Sequence, residues 1–153
     1  MYESKFATYG IEAVVPSETD QQVILNIIFP NLVAGIVTEH EKAVIFGTAF
    51  TMSSKMYESK FEEYGIEAVV PNEVDQQVIH NIIFPNLVAG IVTKHEKATI
   101  LEIAVRMLSE HNADALVLGC TELPLIIEPN DLNTTILDTT KIHIDAILYQ
   151  MLG

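Results

Sequence analysis

Apolar and polar positions along this chain switch between two periods, and each switch marks an element. Short apolar or β-branched runs at 11–15, 43–47, 66–70, 114–118 and 135–137 read as strands. Between them, apolar residues recur at helical spacing. Val23, Ile27 and Phe29 to Leu32 give residues 18–32 a heavily buried helix face, and residues 73–87 repeat it. Pro30 and Pro85 shorten those two helices near their ends. Ile100, Ile103, Ala104, Met107 and Leu108 mark a helix within 94–111, and Ile144, Ile147, Leu148 and Met151 mark another within 140–152. Gly10 and Gly65 stop the helical stretches that end at Tyr9 and Tyr64, while Pro16 and Pro71 close the strands that follow. Short strands alternating with helices predict an α/β fold. The expected architecture is a single three-layer parallel sheet of about five strands, flanked by helices and joined by right-handed crossovers.

The same pattern occurs twice. Residues 1–43 recur as residues 56–98 with six differences: Ala7/Glu62, Thr8/Glu63, Ser17/Asn72, Thr19/Val74, Leu25/His80 and Glu39/Lys94. Two copies this similar are too few and too close for a solenoid repeat. They read as a recent tandem duplication, with its seam at Ala43–Val44. The chain is therefore divided into a duplicated copy, 1–43, and a unit of its own, 44–153. An unpaired strand at 11–15 would expose an apolar edge. A right-handed crossover from it through the helix at 18–32 to strand 43–47 would instead make one domain of the whole.

Composition narrows the functional classes. A chain of 153 residues, 49% hydrophobic and 19% charged, is globular and long enough for one core. No apolar run approaches the roughly 18 residues of a membrane span, and the N-terminus lacks the basic-then-apolar pattern of a secretory signal. The one cysteine excludes an intrachain disulfide framework and suits a reducing cytoplasm, the expected compartment. A net charge of −13 argues against nucleic acid and reads mainly as a solubilising surface. A dicarboxylate ligand would need local amides or a lysine against that field, and Lys94 is the best local cation. His40, Glu41, His95 and Glu96 sit too close in sequence and lack a third ligand, so no metal site is expected. There is no glycine-rich phosphate loop and no Ser/His/Asp arrangement.

The candidate chemistry gathers after the run Ala115 to Leu118, which ends at Gly119 and is followed by Cys120, Thr121 and Glu122. Ligands of parallel α/β sheets sit at the carboxyl ends of strands, where this cysteine falls. If Thr121 and Glu122 open a helix, its amides would favour the thiolate. A lone cysteine beside an apolar strand is more often simply buried, but this position favours a functional thiol. Glu122 either complements a helix dipole or orients the thiol. His143, near a helix start, either reaches a cleft or stays a partly exposed helix residue. His80 reads as structural, because its counterpart Leu25 shows that the slot accepts an apolar side chain.

Gly119-Cys120-Thr121-Glu122-Leu123-Pro124 resembles the second cysteine motif of the aspartate/glutamate racemase family. Four stretches agree in order and spacing: Phe46 to Met52, Tyr64 to Glu67, Asp75 to Phe84, and Leu137 to His143. The resemblance runs unbroken from Ala43 to Gly153. It implies inversion at the Cα of a small amino acid or dicarboxylate without any cofactor, by two cysteines on opposite faces of the substrate. It makes Cys120 the cysteine of the second lobe and gives Thr121 a grip on the substrate carboxylate, with Thr48 and Thr51 lining the same cleft. The family's first-lobe glycine-rich strand turn and Cys-Asn-Thr motif do not occur in this sequence, and residues 1–43 stand in that place. Impaired activity is therefore expected. The alternative is a non-catalytic remnant that folds, self-associates and at most binds a small carboxylate weakly. In the family the C-terminal helix packs toward the first lobe, so here its apolar face would favour a homo-oligomer.

Overall fold

The computed structural model describes Pro30 and residues 42–152. Four parallel strands form its sheet: β1 (Lys42–Phe46), β2 (Glu67–Val69), β3 (Ala115–Leu118) and β4 (Thr135–Asp138), in the order β2-β1-β3-β4. Five helices connect or close them: α1 (Ala49–Ser53), α2 (Met56–Glu62), α3 (Glu73–Ile83), α4 (Lys94–His111) and α5 (Thr139–Leu152). The fold class is the expected one, a parallel sheet between helices. The strand expected at 11–15, the helix at 18–32 and the role of residues 1–43 beside the second unit lie outside the described residues, which hold four strands rather than about five.

The sheet divides two cores by its period-2 alternation. Val44 and Phe46 of β1 and Leu116 and Leu118 of β3 face α3 and α4, where Ile79, Ile83, Ile100 and Met107 close over them. Ala43 and Ile45, with Ala115 and Val117, face the other way against Tyr57 and Phe61 of α2. β1 and β3 are thus buried on both faces, which is why both read as continuous apolar runs. Their register pairs Ala43 with Ala115 and Phe46 with Leu118.

Local chemistry sets the ends of the elements. Asn72 caps α3 by accepting from the amides of Val74 and Asp75, and Thr93 caps α4 by accepting from that of Glu96. α4 stops where Asn112 turns left-handed and its N–H returns to Leu108 and Ser109. α3 ends at Ile83, before Pro85, as the proline rule requires. Among the described residues no helix is long and apolar enough to cross a membrane.

Candidate active site

β1 leads through α1 and α2 to β2 on one side of itself, whereas β3 leads to β4 on the other side. Neighbouring strands whose exits diverge leave a crevice at their carboxyl ends, the usual place for a ligand in such a sheet. Gly47-Thr48 and Gly119-Cys120 lie on its two sides. The Gly119 amide donates to the Phe46 carbonyl at 2.7 Å, tying the two turns together.

Both glycines are dictated by close approach. A Cβ on Gly47 would stand 3.0 Å from the Thr51 side chain and 3.4 Å from the Gly119 carbonyl. On Gly119 it would meet the Phe46 carbonyl at 3.1 Å and the Tyr57 ring at 3.1–3.2 Å. Thr48 caps α1: its hydroxyl accepts from the Thr51 amide at 3.1 Å and lies 3.0 Å from the Thr51 hydroxyl. The two threonines therefore form one hydroxyl pair beside the Gly119 turn.

Cys120 is half-buried. Its thiol donates to the Glu122 carboxylate at 2.9 Å, and the Thr121 hydroxyl donates to the same oxygen at 2.8 Å. Glu122 thus stands within hydrogen-bond reach of the thiol, the geometry that the second of its two expected roles requires. The helix expected at Thr121 does not form. Residues 120–122 make a turn, followed by a single 3-10 turn at Leu123–Leu125. The expected thiolate is accordingly corrected to a thiol. Burial first, and then the hydrogen bond to Glu122, push the Cys120 pKa up from 9.0 to about 11. The amides of Glu122 and Thr121 do favour the thiolate, but they are outweighed. The same contacts, Cys120 first and Thr121 next, hold the Glu122 carboxyl below its ordinary value. The pair at rest is a neutral thiol bonded to a carboxylate.

Two residues not anticipated from the sequence complete the floor of the site. Tyr57 of α2 lies with its ring against Gly119 and shares a hydrogen bond with the Thr139 side chain. Burial pushes its hydroxyl pKa up, and nearby Cys120 adds to the rise. Thr139, at the start of α5, donates to the Leu118 carbonyl at 2.8 Å. A tyrosine that lands on a glycine 62 residues away leaves no local pattern, so only the fold could reveal it.

The remaining candidates are more peripheral. His143 is half-buried in the second turn of α5, and no hydrogen bond among the described residues ties it to the Cys120 turn. Thr121 is exposed. Lys94 is exposed at the start of α4. His80 lies tilted against Phe84 at 5.1 Å between ring centres, and its buried Nδ1 has no hydrogen-bond partner among the described residues. A cleft of about 300 Å³ opens beside the carboxyl ends of β3 and β4, between Leu118, Ile136, Asp138 and Lys141. A shallower one of about 580 Å³ lies at the start of α3, where Arg106 pairs with Asp75 at 2.6 Å. Cys120 lines neither. The thiol and the paired threonines mark the site more strongly than either hollow, because they carry the reactive groups at the divergent strand ends.

Comparison with known proteins places this geometry in context. The model of the Asp/Glu/Hydantoin racemase family matches residues 28–147. A glutamate racemase of Streptococcus gordonii is 29% identical over 118 residues, which are 74% of this chain and 42% of that protein. The crystal structure of an aspartate racemase homologue from Pyrococcus horikoshii superposes with a TM-score of 0.75 at 27% identity, over 85% of this chain and 55% of that one. An aspartate racemase of Picrophilus torridus shares the fold at a TM-score of 0.59 and 22% identity, over 82% of this chain and 51% of that one. The chain thus spans 42% of the curated relative and 51–55% of these structural relatives.

Proposed function

The chain belongs to the Asp/Glu/Hydantoin racemase family, and from that premise we propose that it carries one half of a cofactor-independent proton-transfer site for the Cα of a small acidic amino acid. The observation that carries this reading is the Cys120 thiol hydrogen-bonded to the Glu122 carboxylate at the carboxyl end of β3. Such a pair can shuttle one proton. Glu122 takes it from Sγ, and the thiolate then takes the Cα proton as the C–H bond breaks, leaving its electron pair delocalised into the substrate carboxylate. The proton on Sγ exchanges with solvent, a solvent-derived proton returns from Sγ to the same face of Cα, and Glu122 gives its proton back to the thiolate. The Thr48 and Thr51 hydroxyls and the exposed Thr121 hydroxyl and amide hold the carboxylate, with His143 of α5 as a further substrate contact. No step needs a metal or a cofactor.

Inversion requires a second proton carrier on the opposite face of Cα. Cys120 is the only cysteine in the sequence, so the expected activity is exchange on one face with little inversion. The test is incubation of L-aspartate and L-glutamate in D₂O. Slow Cα deuteration with retained configuration, abolished in Cys120→Ala, is the expected result. Deuteration equal in both proteins would refute it.

A second reading is a non-catalytic, self-associating remnant. The exposed apolar face of α5, including Ile144, Leu148 and Met151, favours it. Sedimentation decides here: concentration-dependent dimers without deuteration support the remnant, and a monomer at all concentrations removes it.

A further inference from the structure

We propose that the seat occupied by residues 56–83 is an interaction surface with two alternative occupants, and that residues 1–28 of the same chain are the second. The inference is independent of the chemistry at Cys120. Residues 56–83 lay α2 on one face of the sheet, pair β2 with β1 at the margin, and lay α3 on the other face. Their anchors are Tyr57, Phe61, Ile66, Ile79, Ile82 and Ile83, all buried. Each has an identical counterpart 55 positions earlier, from Tyr2 and Phe6 through Ile28.

The differences between the copies avoid that core. Glu62, Glu63, Asn72, Val74 and Lys94 are exposed, and only His80 is half-buried. At His80 the first copy fits at least as well. The imidazole has a buried nitrogen without a partner among the described residues, where Leu25 has no polar atom to satisfy. Ser17 can cap a helix as Asn72 does. No buried contact therefore distinguishes the two sequences, and the seat accepts either.

Topology permits the exchange within one chain. The edges of β1 are taken by β2 and β3. A strand from the first copy therefore meets β1 only by replacing β2, the three-residue marginal strand. From that position, a helix in the seat of α3 returns the chain to β1 by a right-handed crossover of the same hand and face as the connection from β2 to β3. Residues 29–41 supply that return and reach about 43 Å when extended, against a helix about 17 Å long. The displaced second copy then becomes a long surface connection between β1 and α4, whose closure cost grows only slowly with length.

The test uses the full chain in three forms: Ile79→Asp, Ile24→Asp, and both together. Each single variant is expected to keep a cooperative thermal transition, because the other copy fills the seat, and the double variant to lose it. Loss of the transition in Ile79→Asp alone, with Ile24→Asp behaving like the unmodified chain, would overturn the proposal. A disulfide separates exchange from addition of a further strand outside β2. Lys42 pairs in register with Glu67, whose counterpart is Glu12. In a Cys120→Ser, Ile79→Asp background, Lys42→Cys and Glu12→Cys should close a bond in a glutathione buffer roughly tenfold more readily than in urea. A strand outside β2 would hold position 12 about 10 Å from position 42, beyond disulfide reach. Closure no better than in urea would therefore also overturn it.

Discussion

Removing the carboxylate beside Cys120 should make its thiol react faster. The thiol stands at about 11 instead of 9.0, because it is half withdrawn from water and bonded to Glu122. Each pKa unit is a factor of about ten in thiolate well below the pKa, so at pH 8 the site holds about 100-fold less thiolate than an ordinary cysteine. Glu122→Gln removes the charge but leaves the burial, which is the larger cause. It should therefore recover only a fraction of the deficit, about 3- to 30-fold. The assay is the pseudo-first-order rate of iodoacetamide alkylation from pH 7 to 11, free of interference because the chain has one cysteine. A wild-type profile that inflects at 9.0 or below would refute the reasoning, as would a Glu122→Gln variant that alkylates no faster. The same shift fixes a stability window. The folded pKa lies above the unfolded one, so above pH 9 the unfolded chain releases its proton first. The stability tied to this thiol is present below about pH 9 and is lost as pH rises through about 11. Tyr57, also shifted upward, acts in the same direction above its ordinary 10.0. Urea midpoints should fall between pH 8.5 and 10.5.

Three other outcomes test the packing around the site. Gly119→Ala should cost about 1–3 kcal/mol by urea unfolding, because its Cβ meets a backbone carbonyl and a buried ring that have little room to give. Ile100→Ala, in the fully buried face of α4 and outside the repeat, should cost about 2–5 kcal/mol by the same measure. Thr139→Val should cost about 1 kcal/mol and shift the near-ultraviolet signal of Tyr57, since one hydroxyl serves both the Leu118 carbonyl and the tyrosine.

The sheet was legible because its strands are extreme cases. β1 and β3 are buried on both faces and read as unbroken apolar runs, while α4 displays its buried residues at helical spacing. Cys120 was legible for the same reason: it follows a strand end that the apolar run marks. Its ionisation was not, because that depends on where the Glu122 side chain turns after a helix fails to form. Tyr57 lay hidden for a different reason. Its partners, Gly119 and Thr139, are distant in sequence and meet it only through the pairing of β1, β3 and β4.

The placement of β2 at the margin bears on how such a sequence could arise at all. An extra copy inserted into the middle of a parallel sheet would have to pry apart strands buried on both faces, and few intermediate lengths would fold. Here the second copy of the repeated stretch contributes a short outermost strand, the helices on either side of it and the first residues of α4. A second copy spliced in ahead of Val44 supplies the first two residues of β1, Lys42 and Ala43, and leaves the rest of the β1–β3 pairing, and the turns that hold Thr48 and Cys120, outside the repeat. The duplication thus touches the innermost strands only at the first two positions of β1. A lineage could carry it while keeping the apolar register of β1 against β3, because the repeat ends on an alanine that pairs with Ala115.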